Sequence, residues 1–343
     1  MPPETAAPNL LESHPPLPAS RIGVLLVNLG TPSAPEAGAV RRYLAEFLAD
    51  RRIVELPRLL WLPILHGIIL NVRPAATARN YAKIWRKESN ESPLRYYTRA
   101  QGEILAASLN GATVDWAMRY GEPSVASRLQ AMKQAGCERI LVIPLYPQYS
   151  ATTTASVSDA VFDAVRAMRW QPAIRMAPAF HDDPLYIKAL AAIARRHLSE
   201  QSFAPERIVI SFHGLPERYF KAGDPYPCHC EKTARLLRAE MGWTDEFALL
   251  AYQSKFGRDK WLEPATDATL ARLADEGVKR VAVITPGFIS DCIETLEEID
   301  IAGRETFLSA GGEAFTSIPC LNDAPETAAL LDAIARRELA GWL

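Results

Sequence analysis

Leu129-Gln-Ala-Met132-Lys-Gln-Ala-Gly136-Cys-Glu-Arg139-Ile140-Leu-Val142-Ile143 is echoed, at a constant offset, by Leu270-Ala-Arg-Leu273-Ala-Asp-Glu-Gly277-Val-Lys-Arg280-Val281-Ala-Val283-Ile284. Each copy opens with apolar residues at helical spacing, reaches a glycine suited to a helix C-terminus, and runs into a β-branched stretch typical of a buried strand. Similar runs lie at 21–28, 113–119, 174–179, 207–210, 247–252 and 313–318, with helical stretches such as 36–50 and 81–88 between them. Strands alternating with helices predict an α/β protein with a mostly parallel sheet covered on both faces. The echo and the restart at Arg207 predict two similar doubly wound, Rossmann-like lobes, at 21–185 and 186–343, with a cleft between the carboxyl ends of their sheets.

The chain has 343 residues, a net charge of -2 and 48% hydrophobic residues, enough for a sizeable core in one or two domains. That balance lacks the basic excess of a nucleic-acid binder, so no nucleic-acid partner is expected. Five scattered cysteines (Cys137, Cys228, Cys230, Cys292, Cys320) do not read as a disulfide framework, and a reducing compartment is expected. Residues 1–20 are rich in Pro and Ala, carry no Lys or Arg, and fit neither a secretory signal nor a mitochondrial presequence. They are expected to be a disordered tail on a cytoplasmic protein.

Chemistry concentrates where strands end. The run Arg207-Ile-Val-Ile gives way to Ser211-Phe-His213-Gly214-Leu-Pro216-Glu217-Arg218-Tyr219, placing a histidine at the carboxyl end of a strand, where it can act as a base near neutral pH. After the strand to Ile284, Asp291, Glu294 and Glu298 fall at i, i+3 and i+7, so an α-helix would stack all three on one face. Such a row suits either a solvated acidic face or hard oxygen ligands that pass a divalent metal or protons along the helix. The turn Leu29-Gly30-Thr31-Pro32 lacks G-x-G-x-x-G, so no dinucleotide fingerprint is supported. Residues 59–70 are apolar nearly all round but too short to cross a bilayer, and are broken by Pro63 and Gly67. With Arg51, Arg52, Arg58 and Arg73 flanking it, this run reads as a core helix, a membrane-surface contact or the lip of a pocket for a flat apolar ligand. Cys228-His229-Cys230 lacks the second pair of a zinc site and reads as ordinary thiols with a surface imidazole. His66, His181 and His197 read as structural, and Cys292 is expected to face the acidic row.

Together these motifs resemble the ferrochelatase family. The resemblance rests on 211–219 with Gly223-Asp224-Pro-Tyr226-Pro, on Gly287-Phe288-Ile-Ser290-Asp291-Cys292-Ile-Glu294-Thr295-Leu296-Glu297-Glu298, and on Val27-Asn28-Leu29-Gly30-Thr31-Pro32. Arg119-Tyr120-Gly121, Tyr146-Pro-Gln-Tyr149-Ser150 and Tyr252-Gln253-Ser254 follow in family order, so the likeness spans about 21 to 330. It implies a chelatase fold and insertion of ferrous iron into a porphyrin, the last step of protohaem synthesis, with Fe²⁺ as substrate. His213 and Glu294 would then be the opposed catalytic and metal-handling pair, with Asp291 and Glu298 behind them. Leu29, Arg73, Ser92, Arg119, Tyr120, Tyr149 and Ser150 would contact the porphyrin. The lip at 59–73 would border the active site and, through 59–70, touch the inner membrane surface, with other haem-pathway proteins as partners.

Two departures carry expectations. Many members ligate a [2Fe–2S] cluster through a cysteine just after the Tyr-Pro-Gln-Tyr-Ser motif and three more near the C-terminus. Here that position is Ala151 and no cysteine follows Cys320, so no cluster is expected. Cys292 stands where some members have histidine. Protoporphyrin IX suits the long apolar lip better than coproporphyrin III. A non-catalytic tetrapyrrole binder would need neither His213 nor Glu294, and a periplasmic binding protein would need a signal peptide.

Overall fold

A computed structural model describes residues 20–343 apart from Arg258, so the tail expected at 1–20 lies outside the described residues except for Ser20. Strands β1 (Arg21–Gly30), β2 (Ala112–Tyr120), β3 (Cys137–Pro144) and β4 (Ala173–Met176) form one sheet in the order β2-β1-β3-β4. Strands β5 (Arg207–His213), β6 (Ala248–Gln253), β7 (Arg280–Ile284) and β8 (Ala314–Ser317) form a second in the order β6-β5-β7-β8. All pairings are parallel, and the order is the same in both. The central strands are buried on both faces, with Val24 to Val27 and Ile208 to Ile210 fully covered, which is why they read as continuous apolar runs.

The echo recurs as the same local structure. Leu129 and Met132 on helix Val125–Gln134, and Leu270 and Leu273 on helix Thr266–Asp275, are almost fully buried against their sheets. The helices end at Gly136 and Gly277, whose φ values of 93° and 92° a side chain would resist.

The lobes share one core. Leu26 and Ile143 of the first sheet and Ile210 and Phe212 of the second belong to the same apolar cluster, filled by helices Pro184–Glu200 and Pro325–Glu338. The C-terminal helix crosses back to the first lobe, where Arg336 Nη2 donates to the Ser108 carbonyl at 2.9 Å.

The lip differs from its sequence reading. Pro63 and Gly67 do not break it: α-helical Arg58–Ile64 continues through a π-helical stretch, Leu65–Ile69, into Leu70–Ile84. The π-turn absorbs the disruption, so the helix runs 27 residues, long and apolar enough by length and composition to cross a membrane. One face seats Leu65, Leu70, Ala78 and Tyr81 against Val40, Tyr43 and Leu44 of helix Ala37–Ala49, which excludes a fully buried core helix. The other face leaves Leu59, Leu60, Ile68 and Val72 exposed.

Candidate active site

His213 is the last residue of β5, and Gly214 lets the chain turn beside β6: its N–H donates to the Gln253 carbonyl at 2.7 Å. A Cβ at Gly214 would meet that same oxygen at 2.7 Å, so any other residue would push the strand ends apart. His213 Nδ1 lies 2.6 Å from the Gly214 carbonyl oxygen. A carbonyl only accepts, so Nδ1 carries the proton and Nε2 keeps its lone pair. The imidazole is thus held in the tautomer that can take a proton or bind a cation through Nε2.

The acidic row is built differently from the α-helical expectation. Residues Glu294–Gly303 form a π-helix, whose turn is wider than that of an α-helix, so side chains four apart, Glu294 and Glu298, come into line. Asp291 lies before the helix and leaves the row. Its carboxylate accepts from Asn322 Nδ2 (2.6 Å), Thr295 Oγ1 (2.9 Å) and the Cys320 N–H (3.3 Å), tethering the start of the helix to the loop after β8.

Glu298 is clamped from the second lobe. Ser254 donates to it from both its N–H and its hydroxyl, each at 2.6 Å, and Gln253 Nε2 reaches it at 3.4 Å. Ser254 adopts φ 66°, a left-handed conformation that only a few per cent of non-glycine residues take. Burial raises the Glu298 carboxyl above the usual range and the Glu294 charge adds to that, while the Ser254 donors and nearby His213 oppose it. Three titratable groups from β5 and the π-helix therefore share one electrostatic neighbourhood.

Glu294 faces the first lobe. With Cys292 and Ile293 it borders a small cavity of about 10 Å³ whose other wall includes Leu29, Tyr81, Ile84 and Ser92. Burial pushes the Tyr81 phenol up and the Glu294 charge pushes it further; Tyr43 and Tyr146 feel the same carboxylate. The Cys292 thiol sits here as expected, driven upward by burial and then by Glu294, so it stays protonated at neutral pH. Ser92 also caps helix Pro93–Ser108 by accepting from the Arg95 N–H at 3.2 Å. Arg73 is exposed on the lip, its guanidinium 5.9 Å from the Phe256 ring of the second lobe.

Other expected porphyrin contacts turn inward. Tyr120 has no exposed surface; its hydroxyl donates to Asp50 Oδ2 at 2.7 Å and lies 2.9 Å from Ser156 Oγ. Arg119 donates to the same Asp50 oxygen (2.6 Å) and to Ser156. Burial would raise Asp50, but hydrogen bonds from Ser156, the Arg52 N–H and Tyr120, with the Arg119 charge, hold it below the usual carboxylate range. Ser150 is buried and donates to Asp224 Oδ2 at 2.9 Å, while the Tyr149 N–H donates to His229 Nδ1 at 3.1 Å. Ser150 therefore joins the lobes rather than offering its hydroxyl to a ligand.

His229 is not a surface imidazole. Its ring stacks on His181 with centroids 3.6 Å apart and planes 4° from parallel, and burial lowers both pKa values, that of His181 to about 4. Cys228 is exposed and Cys230 is buried in the core. Asp50, Ser156 and Gln101, which ties Ser290 to the Asn322 carbonyl, escape sequence reading because their partners are remote in the chain.

Residues 21–339 match the Ferrochelatase family model. The chain belongs to the ferrochelatase family. It is 56% identical over 333 residues to the ferrochelatase of Rhizobium meliloti strain 1021, covering 96% of this chain and 98% of that protein. The ferrochelatase of Agrobacterium fabrum is 55% identical over 334 residues (96% and 97%), and that of Brucella anthropi 52% over 326 residues (94% and 93%). Among solved structures, SirB from Bacillus subtilis with Fe³⁺ superposes with a TM-score of 0.57 at 12% identity, covering 94% of this chain and 96% of that one. The sirohydrochlorin chelatase SirB from Bacillus subtilis subspecies spizizenii, in complex with cobalt, gives 0.55 at 11% identity, covering 93% and 96%. These likenesses place the ferrochelatase chain in the chelatase fold.

Proposed function

We propose that this protein is a ferro-lyase that inserts Fe²⁺ into protoporphyrin IX and releases two protons to give protohaem. The observation that carries the reading is His213 Nε2, left free by the Nδ1–Gly214 contact, beside the Glu294–Glu298 pair in a chain of this family. Metallation removes two pyrrole protons and strips water from iron. An imidazole with a fixed tautomer supplies a base, and carboxylates supply hard oxygen ligands. In this reading His213 takes a proton from a pyrrole nitrogen, and Glu298, raised by burial and near His213, passes protons on. Glu294 faces the cavity and holds the incoming cation. Leu29 and Ser92 lie along the porphyrin, Arg73 pairs with a propionate, and Tyr149 stands at the rim. Arg119 and Tyr120 act through Asp50 and Ser156 to brace the first-lobe wall.

Fe²⁺ is a substrate here, and we assign no [2Fe–2S] cluster: Ala151 occupies one position that would need a thiolate, and Cys230, Cys292 and Cys320 are buried as protonated thiols. The exposed row Leu59, Leu60, Ile68 and Val72, with Arg51 and Arg73 nearby, suits peripheral contact with the inner membrane by a cytoplasmic protein. Leu59→Glu should then reduce flotation with anionic vesicles; unchanged flotation removes that contact. The function itself is tested by anaerobic incubation with Fe²⁺ and either protoporphyrin IX or coproporphyrin III, following loss of the free-porphyrin spectrum. Faster metallation of protoporphyrin IX is expected. Faster metallation of coproporphyrin III would reassign the substrate, and no metallation of either would overturn the enzyme reading.

A further inference from the structure

The cavity beside Glu294 has only about 10 Å³ of free space, far below the roughly 300–1,000 Å³ of pockets that hold drug-sized ligands. A tetrapyrrole therefore enters only when the walls part. One wall carries Tyr81 and Ile84 on helix Leu70–Ile84; the other carries Glu294 at the start of the π-helix. Lys83 lies between Tyr81 and Ile84, and Glu297 is on the first turn after Glu294. Lys83 Nζ meets Glu297 Oε1 at 2.7 Å, directly joining the two walls. Among the described residues this is the one salt bridge from helix Arg58–Ile84 to the second lobe. The Glu297 side chain is 14% exposed and that of Lys83 47%, so the carboxylate is seated in its wall and the lysine reaches across to it. Ile293, four residues before Glu297, packs on the cluster that contains Tyr43 and Tyr81, giving the closed position an apolar seat as well as a charge contact.

We propose that Lys83 and Glu297 are positioning residues that set the width of the cleft, paired when the walls are together and parted when a tetrapyrrole enters or leaves. The inference rests on the porphyrin reading of the site. A partly exposed ion pair is weak enough to break in each cycle and biases the open–closed balance by roughly 2- to 5-fold rather than locking it. Because the contact is ionic, its sign is exchangeable between the two positions, which a packing role would not allow.

The test compares wild type with Lys83→Glu, Glu297→Lys and the doubly exchanged protein. Amide hydrogen exchange across 76–84 is read in the porphyrin-free protein, and porphyrin KM and kcat are read separately. Each single exchange should speed exchange at 76–84 and lower porphyrin KM roughly 2- to 5-fold with kcat little changed, because the closed state that excludes the porphyrin loses its tie, while the double exchange restores both. Single variants indistinguishable from wild type in hydrogen exchange, or a double exchange that restores nothing, would overturn the latch. The hydrogen-exchange arm needs no substrate, so a protein that metallates no porphyrin sinks the enzyme reading while the pair is still tested.

Discussion

The two lobes repeat one scaffold, yet their equivalent strand ends behave in opposite ways. At the end of β2, Arg119 and Tyr120 are consumed by Asp50 and Ser156, so donors and acceptors are matched within a partly buried network. At the end of β5 and β6, Ser254 and Gln253 spend their donors on holding Glu298, and His213 keeps Nε2 unspent. A saturated network rigidifies a wall; an unsaturated one is available for chemistry. The difference lies in side chains rather than topology, since both sheets share the same strand order.

This contrast predicts where substitutions change turnover and where they change stability. Glu294→Gln removes the carboxylate that faces the cavity and should lower the metallation rate by roughly 10²-fold or more with little change in Tm. A rate within a few-fold of wild type would remove Glu294 from the reaction. Asp50→Ala should do the reverse. It leaves the partly buried Arg119 without its carboxylate partner at a cost of about 1–3 kcal/mol, read as a lower denaturation midpoint, with residual activity tracking the folded fraction. An unchanged midpoint would show that this network does not brace the first lobe.

The interlobe histidine stack gives a pH dependence. The folded-state pKa of His181 is lowered from 6.5 to about 4 and that of His229 is also lowered, so the unfolded chain binds more protons below about pH 6.5. Stability is therefore full above that pH, falls as pH drops towards 4, and levels off below. Allowing for the partial exposure of its ring, the loss through His181 should be about 1 kcal/mol, with His229 adding in the same direction. His229→Gln should flatten this slope between pH 6.5 and 4, and a slope unchanged in that variant contradicts the assignment. The smallest effect is expected at Ser254→Ala. Removing a donor that favours the ionised carboxylate raises the Glu298 pKa further and should move the acidic limb of the pH–rate profile to higher pH, by a fraction of a unit, with kcat at the optimum nearly kept. A limb that does not move would detach Glu298 from the rate.

Much of the fold is legible in the sequence because local patterns carry it. The echoed helix–glycine–strand units, the buried β-branched runs and the strand-end histidine each follow from residues close in sequence. The candidate site is legible at His213, Glu294 and Cys292, and misleading where backbone geometry or distant partners decide. Asp291 joins the row only on α-helical spacing, which a π-helix does not keep. Pro63 and Gly67 would break an ordinary helix at the lip, and a π-turn absorbs them. Tyr120 and Ser150 turn inward because of Asp50 and Asp224, about 70 residues away in sequence, and nothing near His229 announces its stack on His181. Hydrogen bonds that close across lobes leave no periodicity to read.

The central claim is that His213, through its free Nε2, is the base of the reaction rather than part of the scaffold. Single-turnover metallation of bound protoporphyrin IX by His213→Ala, under anaerobic conditions with matched folded fractions, tests it most directly. The variant should still quench porphyrin fluorescence on binding but metallate at least about 10²-fold more slowly. Metallation at close to the wild-type rate would contradict it.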